Sequence, residues 1–232
     1  MIHTTVRDSI RTITLDRPDA RNALTSDALE SLESLITEND EPVVYLEGAG
    51  LAFSAGADLD EVATLDAERA AAFAERGQAV ARTLEETDAI VVAGIDGPAR
   101  GGGLELALAC DVRVGTPEAT FGEPGVTFGL FGAWGGTVRL PRVVGEGNAL
   151  EFGLTGRVVD VKEALRMGLI SRIESEPRRV AEEIAGNEPD ALAVLKRRLR
   201  DQGSSTEQER LEAEAFADLV EIHAEDLTAR RE

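Results

Sequence analysis

Cysteine, histidine, lysine and aromatic residues are all scarce in this 232-residue chain. The single cysteine, Cys110, allows no intramolecular disulfide and no cysteine-built zinc site. It lies in the apolar run LELALAC and reads as a buried, inert thiol rather than a nucleophile. The two histidines share no ligand spacing, so no metal site is expected; His3 stands near an end that should fray, and His223 lies in an acidic terminal segment. Aromatics make up 4% of the residues, so the core must be built from Ala, Val, Leu and Ile. No apolar run approaches the ~18 residues of a membrane span. The opening MIHTTVRDSIRTITL lacks the basic-then-apolar order of a signal peptide, and a cytoplasmic location is the default expectation.

Positive charge is scarce too. Twenty-four Lys and Arg face 44 Asp and Glu, a formal charge of −20, and only Lys162 and Lys196 are lysines. The acids are spread along the chain. A field of that sign repels phosphate backbones, so a nucleic-acid partner is not expected. Few lysines, many acids and many alanines suggest a protein kept soluble in concentrated salt, where screening suppresses self-repulsion. An ordinary acidic cytosolic protein is the alternative. Hydrophobic residues at 43% and charged residues at 29% are typical of a globular protein, and the length suits one large domain or one domain with a small appendage.

What is present is alternation of strand and helix signals. Residues 4–15 alternate and predict one or two strands, and Thr25 or Ser26 can cap a helix over DALESLESLITE. PVVYLE (42–47) reads as a strand, 66–87 as a long Ala-rich helix, and AIVVAGIDG as a buried strand. PARGGG then reads as a loop into the helix LELALACD, followed by the strand VRVGTP and by ATFGEPGVTFG with some strand character. A Gly-rich loop runs into a helix near TVRLPRVVG, and 146–173 reads as helix, loop, short helix, strand. The order implies an α/β fold with mostly parallel pairing. From about Pro177 glycine thins and charge rises, predicting helices at 178–185, 189–201 and 206–228. The chain divides there into a core (1–176) and a helical extension (177–232) of the kind that packs on a neighbouring subunit.

Two glycine clusters follow strands and lead into helices: SAGADL (54–59) and GPARGGGLE (97–105). Small residues let backbone amides approach a ligand, and one N–H from each loop converging on one oxygen would form an oxyanion hole. Taken alone, each cluster is also readable as a tight turn. GPARGGGLE lacks the Lys-Ser/Thr of a P-loop and the last glycine of a dinucleotide fingerprint, since Leu106 stands there. AFSAG approaches a nucleophile elbow but carries Ala52 at its first glycine, and a Ser54–Asp218–His223 order is only formally possible. Glu105 is the lone charge in an apolar helix start. Desolvation there would lift its pKa towards the range useful for proton transfer, while a plain first-turn carboxylate is the alternative.

Together LDRPDARNAL (15–24), AFSAGADL (52–59), GIDGPARGGGLELALACDVRV (94–114), ATFGEPGVTFGL (119–130), WGGTVRLPRVVG (134–145) and TGRVVDVKEALRMGLISRI (155–173) resemble the enoyl-CoA hydratase/isomerase superfamily. The resemblance implies a crotonase-like ββα spiral with a helical C-terminal extension, assembled as a trimer or dimer of trimers. It implies an acyl-CoA thioester substrate with no separate cofactor. It further implies an oxyanion hole from the amides of Ala57 and Gly102, a general acid/base at Glu105, and substrate contacts at Arg21, Ala23, Ala55, Asp58 and Gly125. Arg21 would bring positive charge to the anionic coenzyme.

The hydratases carry a second glutamate in F-G-x-P-E, where this chain reads Phe121-Gly122-Glu123-Pro124-Gly125. Nor does Phe131–Gly136 hold the acid that some isomerases place before the later glycine pair. Glu123 is the candidate replacement. If 121–125 is extended, residues 123 and 125 share a face ~6.6 Å apart at ~3.3 Å per residue. An ordinary solvent-facing acid is the alternative. A glycine at 125 also resembles the family's dihydroxynaphthoyl-CoA synthases, where a small anion replaces the carboxylate. Isomerisation, thioester hydrolysis, decarboxylation, carbon–carbon bond chemistry and non-catalytic acyl-CoA binding therefore stay open beside hydration.

Overall fold

The computed structural model describes residues 1–229, the side chain of Asp226 apart. Strands β1 (Ile2–Arg7) and β2 (Ile10–Leu15) form a hairpin whose tight turn puts Asp8 and Ser9 at positive φ. The N-terminus is thereby paired rather than frayed: His3 lies opposite Thr14 and its Nε2 is 2.8 Å from Asp16. Helix α1 (Ser26–Thr37) starts where the Thr25 hydroxyl accepts the Ala28 amide, and buries Leu29, Leu32 and Ile36 on one stripe. Strand β3 (Val43–Gly48) leads to the short α2 (Leu59–Val62) and the long α3 (Ala67–Glu86). Strand β4 (Ile90–Ile95) is buried at every position, the mark of a central parallel strand.

At Gly97 the chain leaves the large sheet. It forms β5 (Pro98–Arg100), where a loop was expected, and then helix α4 (Gly102–Ala109), all of whose residues are buried. The same excursion recurs with β6 (Val112–Gly115) and β7 (Thr120–Gly122), after which Pro124–Phe128 make a 3-10 turn. Helices α5 (Gly136–Val144) and α6 (Glu146–Thr155) follow, then strand β8 (Val158–Asp160), helix α7 (Val161–Met167) and strand β9 (Arg172–Ile173).

Among the described residues the large sheet runs β1-β2-β3-β4-β6-β9 and the small one β5-β7-β8. Every strand pairing is parallel except β1·β2 and β7·β8. Isolated bridges Leu24↔Ala57 and Ser54↔Ala99 continue the small sheet backwards. Each turn of the chain thus gives a strand to the large sheet, a short extended piece to the small one, and then a helix. That is the expected ββα spiral.

The main core fills the space between sheet and helices, and a second apolar layer covers the other sheet face, where Val180 and Ala181 pack on Ile10, Val43, Tyr45, Val92 and Val114. Those two residues belong to α8 (Arg178–Ala185), so the first helix of the extension closes the sheet. Helix α9 (Pro189–Arg200) anchors through buried Lys196, which donates to the carbonyl of Ala89 at 2.8 Å and pairs with Asp111 at 2.9 Å. Helix α10 (Ser205–Ile222), by contrast, has no buried residue. The single helix expected over 206–228 is broken at His223, whose Nε2 lies 2.9 Å from Asp190, and α11 (Ala224–Ala229) resumes beyond it. No described helix is long and apolar enough to cross a membrane.

Candidate active site

Two turns of the spiral meet at one cavity. The first is the 54–58 segment. It is pinned from below by Asn22, whose side-chain amide donates to the carbonyls of Ala49 at 2.9 Å and Ala52 at 2.7 Å. The second is the start of α4. They touch at Gly56: a Cβ there would lie 2.6 Å from the Arg100 carbonyl oxygen and 2.7 Å from the Gly102 nitrogen, so only glycine permits the approach. On either side of Ala57, Leu24 accepts the Asp58 amide and donates to the Gly56 carbonyl. This turns the Ala57 amide to the other side, where it has no acceptor among the described residues. The amide of Gly102, at the first turn of α4, has none either. Ala57 and Gly102 line the same cavity of about 250 Å³, together with Ala55, Glu105, Glu123, Gly125 and Trp134.

Glu105 is 1% exposed. Its Oε1 accepts two amides, Trp134 at 2.9 Å and Gly136 at 2.6 Å, while Oε2 has no protein partner among the described residues. Glycines shape this seat: a Cβ at Gly132 would lie 2.8 Å from the carboxyl carbon, and one at Gly136 2.7 Å from Oε1. Burial lifts the Glu105 pKa to about 7 against the opposing pull of the two amides and of Arg139.

Glu123 is the opposite case. Both its carboxyl oxygens are buried without a hydrogen-bond partner among the described residues. Burial, and then the neighbouring charge of Glu105, push its pKa up to about 8. The extended 121–125 path is not what forms. The chain leaves β7 at Gly122 and Pro124 opens the 3-10 turn, because proline suits a helix start. Gly125 packs on the neighbouring backbone, so that a Cβ there would lie 2.8 Å from the Phe131 Cα. A glutamate at 125 would therefore displace the Phe131 segment.

The remaining expected site residues are dispersed. Arg21 is exposed at the end of a 3-10 turn, and its carbonyl accepts the Ala55 amide at 2.8 Å. Ala23 is half-buried beside it and does not line the cavity. Asp58 does not line the cavity: it caps α2 through the amides of Asp60 and Glu61 and pairs with Arg17, which holds its carboxyl below the usual range. No Ser54–Asp218–His223 triad forms. The Ser54 hydroxyl donates to the Asn22 carbonyl at 2.8 Å, and His223 faces Asp190. Cys110 is buried and its thiol pKa is pushed up to about 12. Among the described residues no cluster of His, Cys, Asp or Glu could hold a metal.

Sequence reasoning passed over Trp134, Gly136 and Arg139. Trp134 meets Phe73 edge-on at 5.6 Å and walls the cavity. The only signal was the glycine-dense GAWGG, read as a loop without an acid.

This architecture is the crotonase fold. The structure of an enoyl-CoA hydratase from Bacillus anthracis superimposes with a TM-score of 0.93 and 31% identity, covering 99% of this chain and 95% of that one. The enoyl-CoA hydratase/isomerase family matches residues 5–227, and the chain belongs to that family. It is similar to the short-chain-enoyl-CoA hydratase of Clostridium acetobutylicum, 39% identical over 81% of this chain and 76% of that protein. It is also similar to the crotonyl-CoA hydratase of Syntrophomonas wolfei, 37% identical over 90% and 85%.

Proposed function

We propose that the chain adds water across the double bond of a 2-enoyl-CoA thioester. It is an acyl-CoA-transforming enzyme of the hydratase/isomerase type. The observation that carries the choice of hydration is the pair of buried carboxyls, Glu105 and Glu123, on one cavity with two amides that lack acceptors. Burial raises the pKa of both carboxyls, and the two amides on Glu105 favour its ionised form while unpartnered Glu123 has no such support. One carboxylate and one carboxylic acid are what hydration needs.

The thioester carbonyl accepts hydrogen bonds from Ala57 and Gly102, and a water sits between the two carboxyls. Ionised Glu105 takes a proton from that water as its oxygen bonds to Cβ. The electron pair of the double bond moves to an enolate whose oxygen charge the two amides stabilise. Protonated Glu123 then delivers its proton to Cα. Removing one such amide donor typically costs about 3 kcal/mol. Arg21, exposed and joined through its carbonyl to Ala55 of the cavity wall, supplies positive charge towards the coenzyme's phosphates.

The same reading extends to assembly and setting. Helix α10 leaves Phe216 and Ile222 exposed, which suits docking on further copies in a trimer or dimer of trimers. The −20 charge suits concentrated salt, and a CoA-linked substrate suits the cytoplasm.

The test is product analysis by mass spectrometry over a panel of acyl-CoAs, with crotonyl-CoA first. A 3-hydroxyacyl product that disappears in Glu105→Ala supports the reading. A shifted double bond, a released acid, or tight binding with no product would each replace it.

A further inference from the structure

Arg139, on the first turns of α5, is buried to 7% exposure and does not line the cavity. Its guanidinium donates to the Trp134 carbonyl at 3.3 Å and pairs with Glu85 of α3, while its Nε is buried without a partner. The Trp134 carbonyl belongs to the peptide between residues 134 and 135. The amides on either side of that peptide, Trp134 and Gly136, are the two that hold Oε1 of Glu105. Arg139 therefore grips the middle of the turn whose two neighbouring peptides hold the Glu105 carboxylate.

The grip continues outward. Glu85 also accepts from Arg200 of α9 at 3.2 Å, and Arg200 donates to Asp111 at 2.8 Å. Asp111 pairs with buried Lys196 and accepts the Val91 amide at 2.8 Å. A continuous chain of paired charges thus runs from the C-terminal extension, through α3, to the seat of Glu105.

We propose that Arg139 is a positioning residue for Glu105: it locks the 134–136 turn through the Trp134 carbonyl and sets the electrostatic environment of the carboxylate, with Glu85 and Arg200 fixing its own place. The inference rests on the hydratase reading for its relevance to catalysis, but its structural content does not. The groups facing Glu105 are Arg139 from α5, the Trp134 and Gly136 amides, and Glu123 from the β7 end; Glu85 and Arg200 act through Arg139. The guanidinium favours ionised Glu105, and Glu85 partly neutralises the guanidinium. The two substitutions Arg139→Gln and Glu85→Gln should therefore move Glu105 in opposite directions. Loss of packing alone would not produce that pattern.

The experiment is carboxyl titration by NMR of the full chain labelled at the Glu side-chain carbonyl, with the Glu105 signal assigned by its absence in Glu105→Gln. The expected result is a Glu105 midpoint about half a pH unit or more higher in Arg139→Gln, near the wild-type value in Arg139→Lys, and lower in Glu85→Gln. An unmoved midpoint in both Arg139→Gln and Glu85→Gln, or shifts of the same sign, overturns the proposal. If Arg139→Gln does not fold, Glu85→Gln and Arg139→Lys decide alone: a lower midpoint in the former and retention in the latter support it, and any other pair of results refutes it. The titration needs no turnover, so a wild type inert towards crotonyl-CoA would count against the proposed function and leave this result readable. With turnover, Arg139→Gln should lower kcat about tenfold with KM within twofold, since Arg139 touches no cavity.

Discussion

Glu105 and Glu123 reach one cavity from two unlike walls. Glu105 grows from α4, a helix with no exposed residue; two amides fix one of its oxygens, and the charge of Arg139 favours its ionised form. Glu123 stands where β7 gives way to a 3-10 turn, and neither of its oxygens has a hydrogen-bond partner among the described residues. Burial raises both pKa values, yet only the first carboxyl has a built seat. Fixed dipoles stabilise the ionised form that a base needs. An unpartnered buried carboxyl stays protonated and is free to swing its proton towards a substrate. The rigid wall suits the base and the bare wall suits the acid.

The strongest way to break this contrast is Glu105→Gln, which keeps the shape of the seat and removes the proposed base. Its kcat for crotonyl-CoA hydration should fall ~10³-fold or more, measured by steady-state rates. Glu123→Gln should cost about 10²-fold in kcat; an unchanged rate would reduce Glu123 to part of the wall. Gly136→Ala puts a methyl against Oε1 of Glu105 and should lower kcat roughly tenfold to a hundredfold with little change in KM, because the seat moves and the substrate contacts do not.

The contrast also has a stability signature. In the folded chain the Glu123 carboxyl is raised from 4.5 to about 8, so it supports folding at low pH and loses that support as pH rises through this window. Glu123→Gln carries no such penalty. Denaturant melts should show the variant gaining roughly 4 kcal/mol over wild type on going from pH 5 to pH 8.5. The smallest effect concerns the whole surface. Molar KCl should raise Tm by about 4 °C, as screening relieves the repulsion of a −20 chain.

Elements with a strong local pattern were legible. The helix expected at 178–185 forms over Arg178–Ala185, and the one expected at 189–201 ends one residue early. Glu105 was legible as the lone charge of an apolar run. The break at His223 was not, because it accompanies a contact with Asp190, 33 residues upstream. Strand β5 hid inside PARGGG because its partner strand β7 lies beyond a helix and another strand. The seat of Glu105 was hidden for the same reason. Its amides come from 29 and 31 residues downstream, in a stretch that carries no acid and no polar signal. Glu123 was named as a candidate on a geometry that Pro124 prevents, and it reaches the cavity by a different path.

Apolar periodicity, capping residues and the placement of a single acid are properties of neighbouring side chains, so the amino-acid order alone determined the alternating α/β plan, the two glycine turns and the carboxyl beside one of them. Which backbone amides stay unpaired, which others hold that carboxyl, and which arginine donates to the carbonyl between those two were decided only when the turns of the spiral stacked. A main-chain N–H has the same chemistry in nearly every residue, and only its position in space gives it a task.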